Sequence, residues 1–140
     1  MIVSLHVATG AAAGALARSR RRALLVGPFL HLLGDRVPHE DIASRRFEIT
    51  SGAAVLLLLA SCRGPFDAAI VGAASASAPD LEHVLPLVRL RGRKLFHGRA
   101  SWHRSGGLPA PAQLLIAGAT IGLLLTCGRR DERAKPPMSA

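Results

Sequence analysis

Leu30-His31-Leu32-Leu33-Gly34-Asp35-Arg36-Val37-Pro38-His39-Glu40-Asp41 gathers histidines and carboxylates at the end of an apolar run. His31 and Asp35 are four residues apart, which on a helix puts both side chains on one face. Pro38 ends that helix, because the residue before a proline is pushed out of the helical region. His39 and Asp41 follow in an exit turn that can fold back toward the helix. Imidazole and carboxylate groups on an apolar ground are the donors that a hard or borderline metal ion takes. The stretch therefore reads as a helix carrying half of a site.

The composition sets the frame for the other half. At 140 residues the chain is expected to form one domain. Hydrophobic residues make up 49% and charged residues only 19%, an apolar balance for a chain of this size. Ala, Leu and Gly supply most of the apolar content, which favours helices packed closely through small residues. β-branched residues are sparse, and this argues against an extensive sheet. The net charge is +9, from 18 Lys and Arg against 9 Asp and Glu. Such an excess suits either nucleic acid or anionic lipid headgroups. The basic residues flank apolar runs and are not interleaved with aromatics, so no platform for stacking bases is visible and nucleic acid is disfavoured. Cys62 and Cys127 each end an apolar run and read as buried, reduced, small apolar residues. The basic cluster Arg18 to Arg22 follows the first apolar run where a secretory signal would have it lead, so that run is expected to be a retained helix.

Helical segments are expected at Ile2 to Ala17, at Ala23 to Asp35 with Pro28 as a kink or true start, at Ile49 to Ser61 capped by Thr50 or Ser51, and at Phe66 to Ala78. Gly10 and Gly14 make a Gly-x-x-x-Gly spacing that allows a close helix contact. Glu40 to Phe47 reads as a loop and Arg89 to Lys94 as a basic linker. Pro109 to Cys127 is uncharged, with Gln113 its most polar residue, and is the best candidate for a membrane span. The expected architecture is an all-α helical bundle of about five helices, one or more of them membrane-embedded. Residues 1–128 form the domain, and 129–140 a basic, disordered tail.

The other half of the site is expected from Asp80 and His83, which share a face if their segment is helical, with Glu82 pointing elsewhere. His97 and His103 lie in a loop that could close over it, and His6 on the first helix is a further ligand. The alternative is a noncatalytic membrane protein, in which the His and Asp pairs are ion pairs with Arg36 or Arg45 or hold a structural metal. Burying Asp35 or Asp80 beside apolar helices is costly without a partner cation.

An early His followed by Thr9-Gly10-Ala11, then the stretch from His31 through Asp41, then Ala78-Pro79-Asp80-Leu81-Glu82-His83, then His97 and His103 before Ser105, resembles the small bacterial membrane-bound metal-dependent hydrolases. These are inner-membrane proteins with a helical architecture distantly similar to zinc-dependent phospholipase C. The resemblance implies that His6, His31, Asp35, His39, Asp80, His83 and His97 hold one or two divalent ions, zinc or manganese. It further implies Asp41 or His103 as general base or acid, and a phosphodiester or phospholipid substrate held by Arg99, Arg104 and the Arg91 to Lys94 run. The implied location is the bacterial inner membrane.

Overall fold

Small residues decide how the first and fourth helices meet. The computed structural model describes residues 1–85, 89–90, 92–97 and 106–133, the side chains of 89, 90, 93 and 127–133 excepted. Helix α1 (Val3–Ala17) lies against α4 (Ala68–Ser77). A Cβ added to Gly10 would stand 2.4 Å from the Gly72 carbonyl oxygen, and one added to Gly14 would stand 2.1 Å from that of Ala68. Backbones this close leave no room for a side chain, so the Gly10-x-x-x-Gly14 spacing is the packing seam.

Helix α2 (Arg20–Arg36) packs on the other side of α4. It starts earlier than expected, at Arg20 with Ser19 as its cap, and Arg20, Arg21 and Arg22 become its first turn. Pro28 lies inside it and neither starts nor breaks it. A proline has no amide proton for the carbonyl four residues earlier. Here that carbonyl, on Leu24, accepts a hydrogen bond of 2.6 Å from the Ser75 hydroxyl of α4. The tie that repairs the helix also fixes it to its neighbour.

Helix α3 (Arg45–Arg63) is capped by Ser44, whose hydroxyl accepts from the Phe47 amide at 3.3 Å. The expected caps Thr50 and Ser51 instead sit inside the helix and donate back to its carbonyls. Cys62 is exposed, contrary to expectation, because it lies a turn beyond the buried Leu59 where α3 runs past the core. After α4 the chain makes a 3₁₀ helix (Ala78–His83), a short antiparallel ladder of Arg89–Leu90 with Arg93–Lys94, and α5 (Ala110–Arg133). Among the described residues the architecture is helical, with five α-helices, one 3₁₀ helix and the two-residue strands of the short ladder.

The residues expected to span a membrane form most of α5, which runs on into the stretch expected as tail. Among the described residues, no helix is long and apolar enough to cross a membrane. Gln113 is wholly buried and ties three segments together. Its carbonyl accepts from the Ile2 amide at 3.1 Å, and its amide donates to the carbonyls of Glu40 at 2.7 Å and Leu108 at 3.1 Å. Backbone bonds from Gly106 to His39 (2.9 Å), Leu108 to Pro38 (2.9 Å) and Glu40 to Leu108 (3.0 Å) hold the exit turn of α2 in place.

The seam makes a prediction with its own control. Gly72→Ala puts a methyl group 2.3 Å from the Gly10 carbonyl and should cost about 1–3 kcal/mol in chemical denaturation. Gly118→Ala meets nothing within 4 Å and should be neutral or stabilising by up to about 1 kcal/mol, since alanine is the better helix former.

Candidate metal centre

Four elements bring ionisable side chains to one point between α1, α2 and the 3₁₀ helix. His31 and Asp35 project from one face of α2, His6 from α1, Asp80 from the 3₁₀ helix and His97 from the stretch after the short ladder. His6 and His31 are wholly buried, and Asp35 is nearly so. Their rings stack, with centroids 3.9 Å apart.

The Asp35 carboxylate is the hub. Oδ1 accepts from His6 Nε2 at 3.1 Å and from the Met1 amine at 2.7 Å. Oδ2 faces His31 Nε2 at 3.3 Å and His97 Nε2 at 3.5 Å. Burial would push its carboxyl up, but the imidazoles of His31, His6 and His97 hold it far below the usual carboxylate range. Burial drives His6 down to about 3, so that it is neutral at pH 7.

The donor set can be tested against an ion. His31 Nδ1 donates to the Ala76 carbonyl at 2.9 Å. That bond leaves Nε2 with its lone pair free for a metal, the usual support of a ligating histidine. Around this nitrogen stand His97 Nε2 at 3.1 Å, Asp35 Oδ2 at 3.3 Å and Asp80 Oδ1 at 3.8 Å. His97 Nε2 is 3.5 Å from Asp35 Oδ2 and 3.8 Å from Asp80 Oδ1. Four donors bound tetrahedrally at about 2.1 Å stand roughly 3.4 Å apart. These five separations bracket that figure, and among the described residues His31, Asp80 and His97 are one of two groups of three, with His6, His31 and Asp35, whose donor atoms all lie within 4.8 Å of one another. A second oxygen of Asp80, Oδ2, is buried with no hydrogen-bond partner among the described residues. His6, His31 and Asp35 form an overlapping group of three on the Oδ1 side.

Burial and neighbouring charge shift the titration of two of these groups upward. Burial raises Asp80 to about 6, against the pull of His31 and His97. Burial lowers His97, but Asp35, Asp80 and Glu82 more than offset this, and its imidazole titrates above the ordinary value.

His97 is positioned by a residue that the sequence did not single out. Glu82 is buried, and its carboxylate faces the same His97 ring that Asp80 faces from the other nitrogen. Its Oε1 accepts from the amides of Leu95 at 2.8 Å and Phe96 at 3.2 Å, and its Oε2 from those of Phe96 at 3.1 Å and His97 at 3.3 Å. One carboxylate thus clamps the backbone that carries His97, and it also lies 3.5 Å from His97 Nδ1.

The remaining expected residues stand around this group. His39 is buried, donates from Nδ1 to the Val37 carbonyl at 2.6 Å, and its Nε2 contacts both the Met1 amine and Asp41 Oδ1. Asp41 is exposed, 3.2 Å from that nitrogen. His83 packs edge-on against His97, but its Nδ1 faces Lys94 Nζ at 2.9 Å. Burial and the charges of His97 and Lys94 lower its imidazole to about 4. His103, Arg91, Arg99 and Arg104 lie outside the described residues. A cavity of about 650 Å³ opens onto Asp35, Asp80 and His97, with Asp41, His83 and Arg45 on its lining.

Zinc must displace the proton on His97, so its affinity should climb as pH rises from 5 to 8, roughly tenfold per unit for each proton released. Glu82→Gln offers only one acceptor oxygen to three amides and should weaken zinc binding roughly 10–100-fold. Competition against a calibrated chelator reads both. Affinity that is flat with pH, or unchanged in Glu82→Gln, would contradict the arrangement.

No family model matches the chain, nor does any curated protein or solved structure.

Proposed function

We propose that the chain is a metal-dependent hydrolase acting at a membrane, with a phosphodiester of phospholipid type as its substrate. The observation that carries this reading is the meeting of His31 Nε2, His97 Nε2, Asp35 Oδ2 and Asp80 Oδ1 at separations of 3.1–3.8 Å. Zinc suits four mixed nitrogen and oxygen donors at these spacings better than manganese, which favours six oxygen-rich positions. When bound, such an ion supplies a water of lowered pKa and polarises a phosphoryl oxygen.

The chain's own residues supply the rest. His6 holds Asp35 through Oδ1, which keeps Oδ2 turned toward His31 and His97, the residues that would hold the ion with it. Glu82 holds the His97 backbone. Arg45, at the start of α3 and on the cavity lining, offers a guanidinium fork for a non-bridging phosphate oxygen. Asp41 Oδ1, paired with His39 at the cavity edge, is the acceptor for the proton of the attacking water. In the overall step the water oxygen bonds to phosphorus, the bond from phosphorus to the leaving alcohol breaks, and that alcohol oxygen takes up a proton.

Apolar side chains on the outside support the membrane. Leu24, Leu25, Phe29 and Leu33 of α2 and Leu115 and Leu123 of α5 are all more than half exposed. Soluble monomers seldom leave such residues in water in this number. Arg20, Arg21 and Arg22 begin the same α2, a placement suited to anionic headgroups. The location that fits is the bacterial inner membrane.

The test uses the full chain purified in detergent. Elemental analysis should find about one zinc per chain, and the protein should hydrolyse bis(p-nitrophenyl) phosphate. His31→Ala and Asp35→Asn should lose the zinc and at least roughly a hundredfold in rate, with helicity retained. Metal-free protein that takes up no zinc, or activity indifferent to both substitutions, would sink the reading.

A further inference from the structure

The cavity beside the cluster has two ends of different chemistry. At one end stand Asp35, Asp80 and His97, with Arg45 nearby. The rest of the lining is mostly apolar, with the Glu48 carboxylate set in it and accepting from the Val3 amide at 2.8 Å. Val3 and Val7 of α1 are four residues apart and share a face, and Ile49, Ala53 and Leu56 of α3 share another at helical spacing. Gly52 forms part of the wall between these stripes. A Cβ there would stand 2.4 Å from Val3 Cγ1, so its bare backbone lets α3 approach α1. From Ile49 to Leu56 the apolar stripe runs about 10 Å along α3. The volume, about 650 Å³, falls within the range typical of sites that enclose a small ligand.

We infer that this cavity is the tail site of an anionic amphiphile: a single aliphatic chain lies between α1 and α3 while its phosphate ester group meets the cluster and Arg45. A wholly apolar molecule would leave the charged end unmatched. A small polar diester would leave the stripe against water. The acidic lining (Asp35, Asp41, Glu48 and Asp80) repels a phosphate unless a cation balances it, so binding of the headgroup rests on the metal-site reading above. Binding of the tail does not.

Two measurements separate these dependences. With the zinc-loaded full chain held in amphipol, the p-nitrophenyl phosphodiester carrying an octyl group should show a KM at least about tenfold below that of the methyl diester, from burial of the added methylenes. Ala53→Phe fills the cavity at an exposed position and should bring the two KM values within about twofold while the zinc content stays at the wild-type level. Calorimetric binding of octyl phosphate should weaken about tenfold in the same variant, and Ile49→Ser should weaken it in the same direction if Ala53→Phe does not fold. Equal KM values for octyl and methyl diesters, or octyl phosphate binding unchanged in both variants, would overturn the inference. If neither diester is hydrolysed, the hydrolase reading fails, and calorimetry with 1-octanol, which carries no phosphate for the acidic lining to repel, decides the tail site in the same two variants.

Discussion

A carboxylate buried among three imidazoles is the constraint on which the rest of this molecule hangs. Removing an ion from water costs several kcal/mol unless partners replace the water. Asp35 meets that demand with His6, His31 and His97, each brought from a different element. A carboxylate in this position needs α1, α2 and the stretch after the short ladder to arrive together. The glycine seam sets the distance between α1 and α4. Ser75 ties α4 to α2 at the carbonyl that Pro28 leaves unpaired, and the Ala76 carbonyl, one residue on, receives His31 Nδ1. Packing and site orientation therefore share the same turn of α4.

The site is electrostatically arranged for a cation. Two carboxylates and two imidazole nitrogens converge, with His31 and His97 each 3.3–3.8 Å from both carboxylates. Asp80 and His97 both titrate above their ordinary values, so protons are drawn to the same groups. Ion and proton compete for the same electrons, so occupancy and pH are linked. Supporting groups also reach across the chain: His6 turns Asp35, the Ala76 carbonyl fixes the tautomer of His31, and Glu82 grips the backbone of His97. Such outer contacts commonly govern metal affinity as much as the ligands themselves.

Much of this was legible because the signals are local. His31 and Asp35 at i and i+4, the stop at Pro38 and the small-residue face of α1 depend only on helix geometry. Asp80 and His97 were legible by residue type, though not their distances. Glu82 was not legible: nothing nearby in sequence indicates that it faces the amides of residues 95–97 and the ring of His97. Gln113 looked like the polar blemish of a membrane span because its partners, Ile2 and Glu40, are far away in the chain. The start of α3 was set too late because Thr50 and Ser51 have the right side chains for caps, while the backbone places the cap at Ser44. Arg45 reads in the sequence only as an ion-pair partner, since its place on the cavity lining depends on that earlier start. Cys62 ends an apolar run, yet sequence alone cannot say where a helix outruns its core.

The most direct test of the account is zinc K-edge X-ray absorption on the zinc-loaded full chain, compared with Asp80→Asn and His97→Ala. The account predicts a four-coordinate shell of nitrogen and oxygen at about 2.0–2.1 Å, with the outer scattering of two imidazoles falling to one in His97→Ala. A six-coordinate, water-dominated shell without imidazole scattering, or a spectrum identical in all three proteins, would contradict it.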